Sequence, residues 1–332
     1  MQDVLLLSRT DLERTLDFPS VLAALSEAFI AEHGGFFDTP KRITAHTKAG
    51  GLLAMPSGGG SPEALGAKLV TIFNSNHALG MPSVSGLYVL FDPRSGVPLA
   101  VMDGTFLTLI RTAAVSALAT RLLARQDARS FGVIGAGAQA GIHVRLIAAV
   151  RPIDTVVIWA RQKARAEALV DSLRNRSELG SITSWIAAAE VAEAAVCDVV
   201  LTATAATQAV LPGEKLRPGA HLNSIGAHTR NTREIDTRAV TRATILAVES
   251  KDTLQEAGDF QMAEVEAGGV VRRVVTLGAL LEPAARETPS RDPLAISIFK
   301  STGVAFEDLA VAALAFRRAR ELGLGAGFSF HR

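Results

Sequence analysis

Apolar residues in the first part of the chain gather in short runs of strand length, with longer helical patterns at both ends. Residues 3–7 predict a short strand. Asp17-Phe18-Pro19-Ser20 reads as a helix entry, followed by apolar positions from Val21 to Ile30 and a Gly34-Gly35 stop. The segment TPKRITAHT predicts a strand carrying Lys41, Arg42 and His46. Residues 51–56 are apolar, and Pro56-Ser57-Gly58-Gly59-Gly60-Ser61-Pro62 predicts a loop. Residues 64–73 predict a strand with Lys68 embedded in it. Two more strands, 85–91 and 97–102, are joined by a hairpin signal, Asp92-Pro93-Arg94-Ser95-Gly96. A helical pattern over 105–125 carries Arg111 and Thr112 in its first half.

Beyond residue 125 strands alternate with helices or loops. The apolar run Phe131 to Ile134 enters Gly135-Ala136-Gly137-Ala138-Gln139-Ala140, and a helix-compatible segment follows. This is the strand, glycine turn and helix start of a dinucleotide-binding βαβ unit. Gly135 allows the tight turn, Gly137 lets the backbone approach a pyrophosphate, and Ala140 lets the helix pack near the strand. The N–H groups and partial positive charge at the helix start suit phosphate. Strand-sized runs at 155–159, 184–186, 199–203, 220–225, 245–248 and 274–277 alternate with helical segments at 163–173 and 191–195 and with loops. That alternation predicts a parallel doubly wound sheet. The tail carries Ile298-Phe299-Lys300-Ser301-Thr302-Gly303 and becomes a helix over 306–322.

A length of 332 residues suits two domains, here 1–125 joined by the tail 300–332, and 126–299. The formal net charge of +1, from 34 basic and 33 acidic side chains, leaves no electrostatic footprint for nucleic acid. One cysteine, Cys197, excludes a disulfide framework or a thiolate metal site within one chain and fits a reducing, cytoplasmic compartment. The start MQDVLLLSRTDLE lacks a signal-peptide pattern, and no apolar run approaches the roughly 18 residues that span a bilayer, so no membrane partner is expected. The histidines lack metal-ligand spacing, and no metal site is expected.

In a NAD-specific unit an acidic residue about 20 positions past the glycines holds the ribose 2′-hydroxyl. The corresponding stretch here is Val157-Ile158-Trp159-Ala160-Arg161-Gln162-Lys163, with Arg165 close behind and no carboxylate. A guanidinium pairs with a 2′-phosphate and stacks on adenine, so NADP is the expected cofactor, with NAD as the alternative.

Three cations precede the glycine turn. Lys68 interrupts an apolar strand, so it either lines a cleft or reaches out to solvent. Arg42 stands beside Thr44 and His46, and Arg111 lies in a helix of small and apolar residues. Together they suit a substrate carboxylate; taken singly, each reads first as a surface or salt-bridge residue. His228 follows Ser224-Ile225-Gly226-Ala227 at a predicted strand's carboxyl end, where ligands bind in such sheets. It is a candidate proton donor or acceptor, or a solvated loop histidine.

A longer series of segments resembles the ornithine cyclodeaminase/mu-crystallin family. It runs from Ala67-Lys68-Leu69-Val70 through Pro98-Leu99-Ala100-Val101-Met102-Asp103-Gly104 and Arg111-Thr112-Ala113-Ala114-Val115-Ser116-Ala117 to the glycine turn. It continues with Gly219-Ala220-His221-Leu222-Asn223-Ser224-Ile225-Gly226-Ala227, Arg233-Glu234-Ile235-Asp236 and Phe299-Lys300-Ser301-Thr302-Gly303-Val304-Ala305-Phe306-Glu307-Asp308. The resemblance implies a Rossmann doubly wound nucleotide domain plus an α/β substrate and dimerisation domain, in a homodimer. It implies that Arg42, Lys68 and Arg111 meet the substrate carboxylate or reacting centre. It places Gly137, Ala138, Gln139, Arg161, Thr202 and Thr204 along the cofactor; Gly135, with Thr112 and Lys300 from the RTAA and FKS stretches, completes that set.

Ornithine cyclodeaminases resemble this chain but carry an Asp where it has His228, and the acidic NAD selector is also missing. The Trp159–Lys163 segment is more similar to the mu-crystallin branch. The implied activity is NAD(P)H-dependent reduction of a small cyclic imino acid, Δ1-pyrroline-2-carboxylate to L-proline or Δ1-piperideine-2-carboxylate to L-pipecolate. The alternatives are a cyclodeaminase-type lyase, an amino-acid dehydrogenase, and a non-catalytic NADPH-dependent binding protein.

Overall fold

The computed structural model describes residues 3–282 and 292–330. In chain order it contains β1 (Val4–Leu7), α1 (Arg9–Thr15), α2 (Phe18–His33), β2 (Phe37–Asp38), β3 (Ile43–His46), β4 (Gly51–Gly59), β5 (Ala64–Ile72), β6 (Val84–Phe91), β7 (Pro98–Asp103) and α3 (Gly104–Leu123). Next come β8 (Ser130–Ile134), α4 (Ala138–Ala148), β9 (Thr155–Trp159), α5 (Lys163–Arg174), β10 (Ser184–Ala187), α6 (Val191–Ala195), β11 (Val199–Thr202) and β12 (His221–Ser224). The rest is α7 (Thr237–Arg242), β13 (Ile245–Val248), α8 (Lys251–Glu256), α9 (Gly258–Ala267), β14 (Val274–Thr276), α10 (Leu277–Leu281), β15 (Ser297–Lys300), α11 (Ala305–Leu322) and β16 (Ala326–Phe328).

The chain forms two compact units, Met1–Arg111 with Val304–Arg332, and Thr112–Gly303. The boundaries expected at 125/126 and 299/300 move accordingly. The first boundary falls inside α3, whose continuous apolar pattern gives no sign of it. The second leaves Lys300 at the end of a strand of the middle unit. α3 is long and apolar enough to cross a membrane by length and composition, with Arg111 and Arg121 as its charged residues, and 72% of that apolar window is buried inside the protein.

The first unit holds a mixed sheet in the order β16-β1-β7-β6-β5-β4-β2, with β3 also paired to β4. The hairpin β6–β7 forms where the Asp92 to Gly96 turn predicts it. The loop expected over 56–62 begins later, because β4 runs through Gly59 and pairs Ser57 with Gly66 and Gly59 with Ala64. Pro56 is tolerated because β3 covers β4 only from Gly51 to Ala54, and β2 only at Gly58 and Gly59. The inner face of the sheet carries Leu53, Met55 and Val70, packed with Ala305 at the start of α11. α11 lies over β4, β5 and β6.

The second unit is a parallel sheet in the order β10-β9-β8-β11-β12-β15-β13-β14. The first two crossovers carry the chain from β8 to β9 and on to β10; the chain then returns to the other side of β8 with β11. The strand order therefore reverses at β8/β11, the point where ligands bind in doubly wound sheets. In sequence β15 is only the start of the tail, yet it sits between β12 and β13. Its Ser-Ile-Phe-Lys is fully buried, but a four-residue run carries too little periodicity to distinguish a central strand. Val200, Leu222, Leu246 and Ile298 from four of these strands share one apolar core.

Candidate active site

The glycine turn has the geometry its residues require. Gly135 has φ of 123° and N–H···O contact of 2.8 Å to the Trp159 carbonyl; a side chain there would collide with the Ala203 carbonyl. Gly137 is the N-cap of α4, in extended conformation, and supplies no side-chain cap. A Cβ at Gly137 would meet nothing within 4 Å, so the helix N-terminus faces open space that a pyrophosphate can fill. Ala140 is fully buried, as close helix–strand packing requires. Ala138 is exposed and Gln139 half-buried in the first turn. Arg161 is exposed just beyond β9, with exposed Lys163 and Arg165 following. These residues fit a dinucleotide.

On the same sheet edge, Thr202 and Thr204 do not present their hydroxyls outward. Thr202 Oγ1 donates to Glu234 Oε2 at 2.9 Å, and Thr204 Oγ1 to Glu234 Oε1 at 2.8 Å. Lys300 is fully buried, 2.8 Å from Asp259 Oδ2 and within 3.4 Å of Ser224 Oγ. Ser224 and Lys300 stand opposite each other at the ends of β12 and β15. Thr112 is buried in α3 as the first residue of this unit. His228 is exposed, with Nδ1 3.2 Å from the Gly226 carbonyl oxygen in its own loop.

The first unit buries four charged side chains beneath the inner face of its sheet. Lys68 Nζ donates to Asp308 Oδ2 at 2.7 Å, and Arg111 reaches Asp308 Oδ1 through Nε at 3.2 Å and Glu307 Oε2 through Nη1 at 2.8 Å. All four residues are buried. Two cations and two carboxylates balance, which is how a site this dry holds four charges. The two acids occupy the first turn of α11, where the helix dipole favours them. Burial pulls the Lys68 ammonium from its ordinary 10.5 down to about 8; Asp308 pulls it up, and the Arg111 charge pushes it down further. Of the two places open to a lysine in an apolar strand, a cleft or the solvent, Lys68 does not take the solvent.

Cross-strand register explains the placement. Met55, Lys68, Tyr88 and Met102 stand opposite one another across β4, β5, β6 and β7, and all are buried on one face. Arg42 precedes β3 and is half-buried; continuing the β3–β4 register by one residue sets it opposite Met55, in the same row. Glu307, Asp308 and Tyr88 had no assigned role in the sequence. The signal for the acids is two adjacent carboxylates ahead of the charge-free run from Leu309 to Phe316. Tyr88 offered none, since a tyrosine in an apolar strand reads as core.

A Rossmann-type sheet with an open glycine turn, in a chain whose other unit carries a buried lysine–arginine–carboxylate cluster, defines a nicotinamide-dependent class of protein. The ornithine cyclodeaminase/mu-crystallin family model matches residues 2–323, and the chain belongs to that family. It is 34% identical over 282 residues to the Delta(1)-pyrroline-2-carboxylate reductase of Bacillus cereus, covering 84% of each chain. The Thermococcus litoralis Delta(1)-pyrroline-2-carboxylate reductase, solved with NADH and L-proline, superposes with a TM-score of 0.91 at 34% identity, over 97% of this chain and 99% of that one. An archaeal alanine dehydrogenase dimer with bound NAD gives 0.89 at 29% identity, over 99% of each.

Proposed function

We propose that this protein is an NAD(P)H-dependent oxidoreductase that reduces a cyclic ketimine carboxylate. Δ1-pyrroline-2-carboxylate to L-proline is the best-supported conversion, and the six-membered homologue to L-pipecolate comes next. The observation that carries this reading is the buried Lys68–Asp308–Arg111–Glu307 cluster, in a chain that resembles two reductases acting on that imine.

When bound, the nicotinamide supplies the hydride. The protein's residues handle charge and the proton. Hydride addition to C2 is favoured when the imine nitrogen is protonated, and the product amine retains that proton. Lys68 is mostly protonated at neutral pH, yet holds its proton less tightly than an ordinary lysine, which suits a group that gives or retains a proton at the imine nitrogen. Asp308 and Glu307 engage two faces of the Arg111 fork and hold the guanidinium in one orientation toward a substrate carboxylate, with Arg42 in the same sheet row as the second candidate. Of the two candidate acids, the burial and ion pairing of Lys68 favour it over the exposed His228.

The 2′-phosphate reading rests on Arg161, exposed at the end of β9 with no acidic residue beside it, and makes NADPH the preferred donor with NADH accepted. The two structural neighbours carry the unphosphorylated cofactor. A homodimer is supported by the outer sheet face of the first unit. Leu52 on β4, Leu65 and Leu69 on β5 and Leu87 on β6 are 42%, 40%, 40% and 53% exposed, next to Ala67 and Val89 on the same face. A cytoplasmic location fits the single buried Cys197.

The deciding experiment follows NADPH and NADH oxidation by absorbance against a panel of cyclic imino acids. Ornithine and pyruvate plus ammonia serve as controls. Consumption of reduced cofactor with a cyclic imine supports the reading. Ammonia release from ornithine without net cofactor use would overturn it in favour of a lyase. Turnover confined to pyruvate plus ammonia would make the protein an amino-acid dehydrogenase. Cofactor binding with no oxidation by any of these would make it a binding protein.

A further inference from the structure

Glu234 belongs to the Arg233-Glu234-Ile235-Asp236 stretch, which the proposed chemistry leaves unused. Its carboxylate is fully buried, and among the described residues the donors it accepts from are neutral. Oε1 accepts from Thr204 N at 2.6 Å and Thr204 Oγ1 at 2.8 Å. Oε2 accepts from Thr202 Oγ1 at 2.9 Å, Gly226 N at 2.6 Å and Ala227 N at 3.3 Å. One side chain therefore joins the segments that follow β11 and β12, two adjacent strands at the carboxyl edge of the sheet.

The connection extends in both directions. A side chain at Gly226 would collide with the Thr204 carbonyl, so the two segments touch as well as sharing an acceptor. Gly135 of the glycine turn packs with equal closeness on the Ala203 carbonyl. The contacts thus run without a break from the glycine turn, through Ala203 and Thr204, to the Glu234 carboxylate and on to Gly226 and Ala227. Glu234 is itself anchored: its backbone N–H and that of Ile235 donate to Asp259 Oδ1 at 2.7 and 3.0 Å, and Asp259 pairs with Lys300. A dry carboxylate bonded by five neutral donors is costly to desolvate, and a neutral core would be cheaper if only stability mattered.

We propose that Glu234 is a positioning residue for the nicotinamide half of the cofactor. It sets the spacing of the β11 and β12 end segments, while the adenine and phosphate half is held by Arg161 and by the glycine turn, whose own anchor is the Gly135 N–H on the Trp159 carbonyl and which takes no hydrogen bond from Glu234. This deepens the nicotinamide-dependent reading above and rests on it. Glu234 touches no reactant; it acts through the segments it joins. In Glu234→Gln an amide NH2 replaces one acceptor and faces N–H and O–H donors, so one of the two segments loses its anchor. Thr202→Val is the milder companion. Thr202 is fully buried, so the change removes one donor to Glu234 and no group accessible to a ligand.

The test compares binding of the complete cofactor with binding of its adenine-side fragment, by calorimetry on the full-length protein. The pairs are NADPH with 2′-phospho-ADP-ribose and NADH with ADP-ribose. Glu234→Gln is expected to weaken the complete cofactor by about tenfold or more and leave the fragment within about threefold. Thr202→Val is expected to show the same split at about three- to tenfold. Turnover at saturating cofactor should fall with it. Equal weakening of fragment and complete cofactor, or no change in either, would overturn the proposal. If Glu234→Gln does not fold, Thr202→Val decides by the same split. Wild-type protein that binds neither NADPH nor NADH would refute the functional reading itself, a distinct result.

Discussion

Lys68 Nζ and Asp308 Oδ2 are 2.7 Å apart across 240 residues of sequence, and both side chains are shut off from water. One end of this pair lies in the middle of β5, the other in the first turn of α11. The contact ties the N-terminal strands of the first unit to its C-terminal helix and brings Arg111 against the same carboxylate.

That pairing sets a pH dependence. Lys68 loses its proton through pH about 8. If it serves the imine nitrogen, kcat/KM falls above about pH 8. Asp308 raises the lysine's pKa by charge and hydrogen bond, so Asp308→Asn moves this limb to lower pH. Loss of the carboxylate also leaves buried positive charge unpaired, at about 3–5 kcal/mol of stability, read by denaturant titration. For folding the lysine's own burial has the opposite sense. The unfolded chain holds the proton up to 10.5 and the folded chain only to about 8, so its burial costs most below pH 8 and less as pH rises toward 10.5. In His228→Ala the basic limb stays near pH 8; its disappearance would assign the proton to His228 instead.

The two glycines of the turn fail in different ways. Gly135→Ala puts a side chain at positive φ against the Ala203 carbonyl and lowers stability by about 1–3 kcal/mol or more, measured by thermal melting. Gly137→Val meets open space in an extended conformation, so its melting temperature stays near wild type. Its cofactor affinity, measured by titration, drops by about tenfold or more, because the valine fills the volume the pyrophosphate needs.

Arg161→Asp exchanges a partner for a 2′-phosphate for an acceptor from a 2′-hydroxyl. The ratio of kcat/KM for NADPH to that for NADH falls by about tenfold or more. An unchanged ratio would show that Arg161 does not read the phosphate. The site is exposed, so stability stays within about 0.5 kcal/mol.

Leu69→Lys with Leu87→Lys places two charges on the outer face of β5 and β6, where Leu69 stands opposite Leu87. The proposed homodimer predicts that the unmodified protein sediments as a dimer and the double variant as a monomer. A dimer that persists would move the interface elsewhere.

Much of this protein follows from local pattern. Strands alternating with helices after residue 125 define the doubly wound sheet, and the glycine turn marks its phosphate edge, because φ and close approach are properties of single residues. Lys68 in an apolar strand and Arg111 in an apolar helix announced charges needing partners, since a dry cation is costly alone. Which partners they take was decided only by the tertiary structure. α11 delivers Glu307 and Asp308 from the far end of the chain, and no periodicity records a contact across 240 positions. The same holds for β15, inserted between β12 and β13, which makes Lys300 a buried partner of Asp259. It holds again for Thr202 and Thr204, whose hydroxyls turn toward Glu234. A hydroxyl at a strand end suits a cofactor or a buried carboxylate equally well as sequence, and only the packing of a later segment chooses between them.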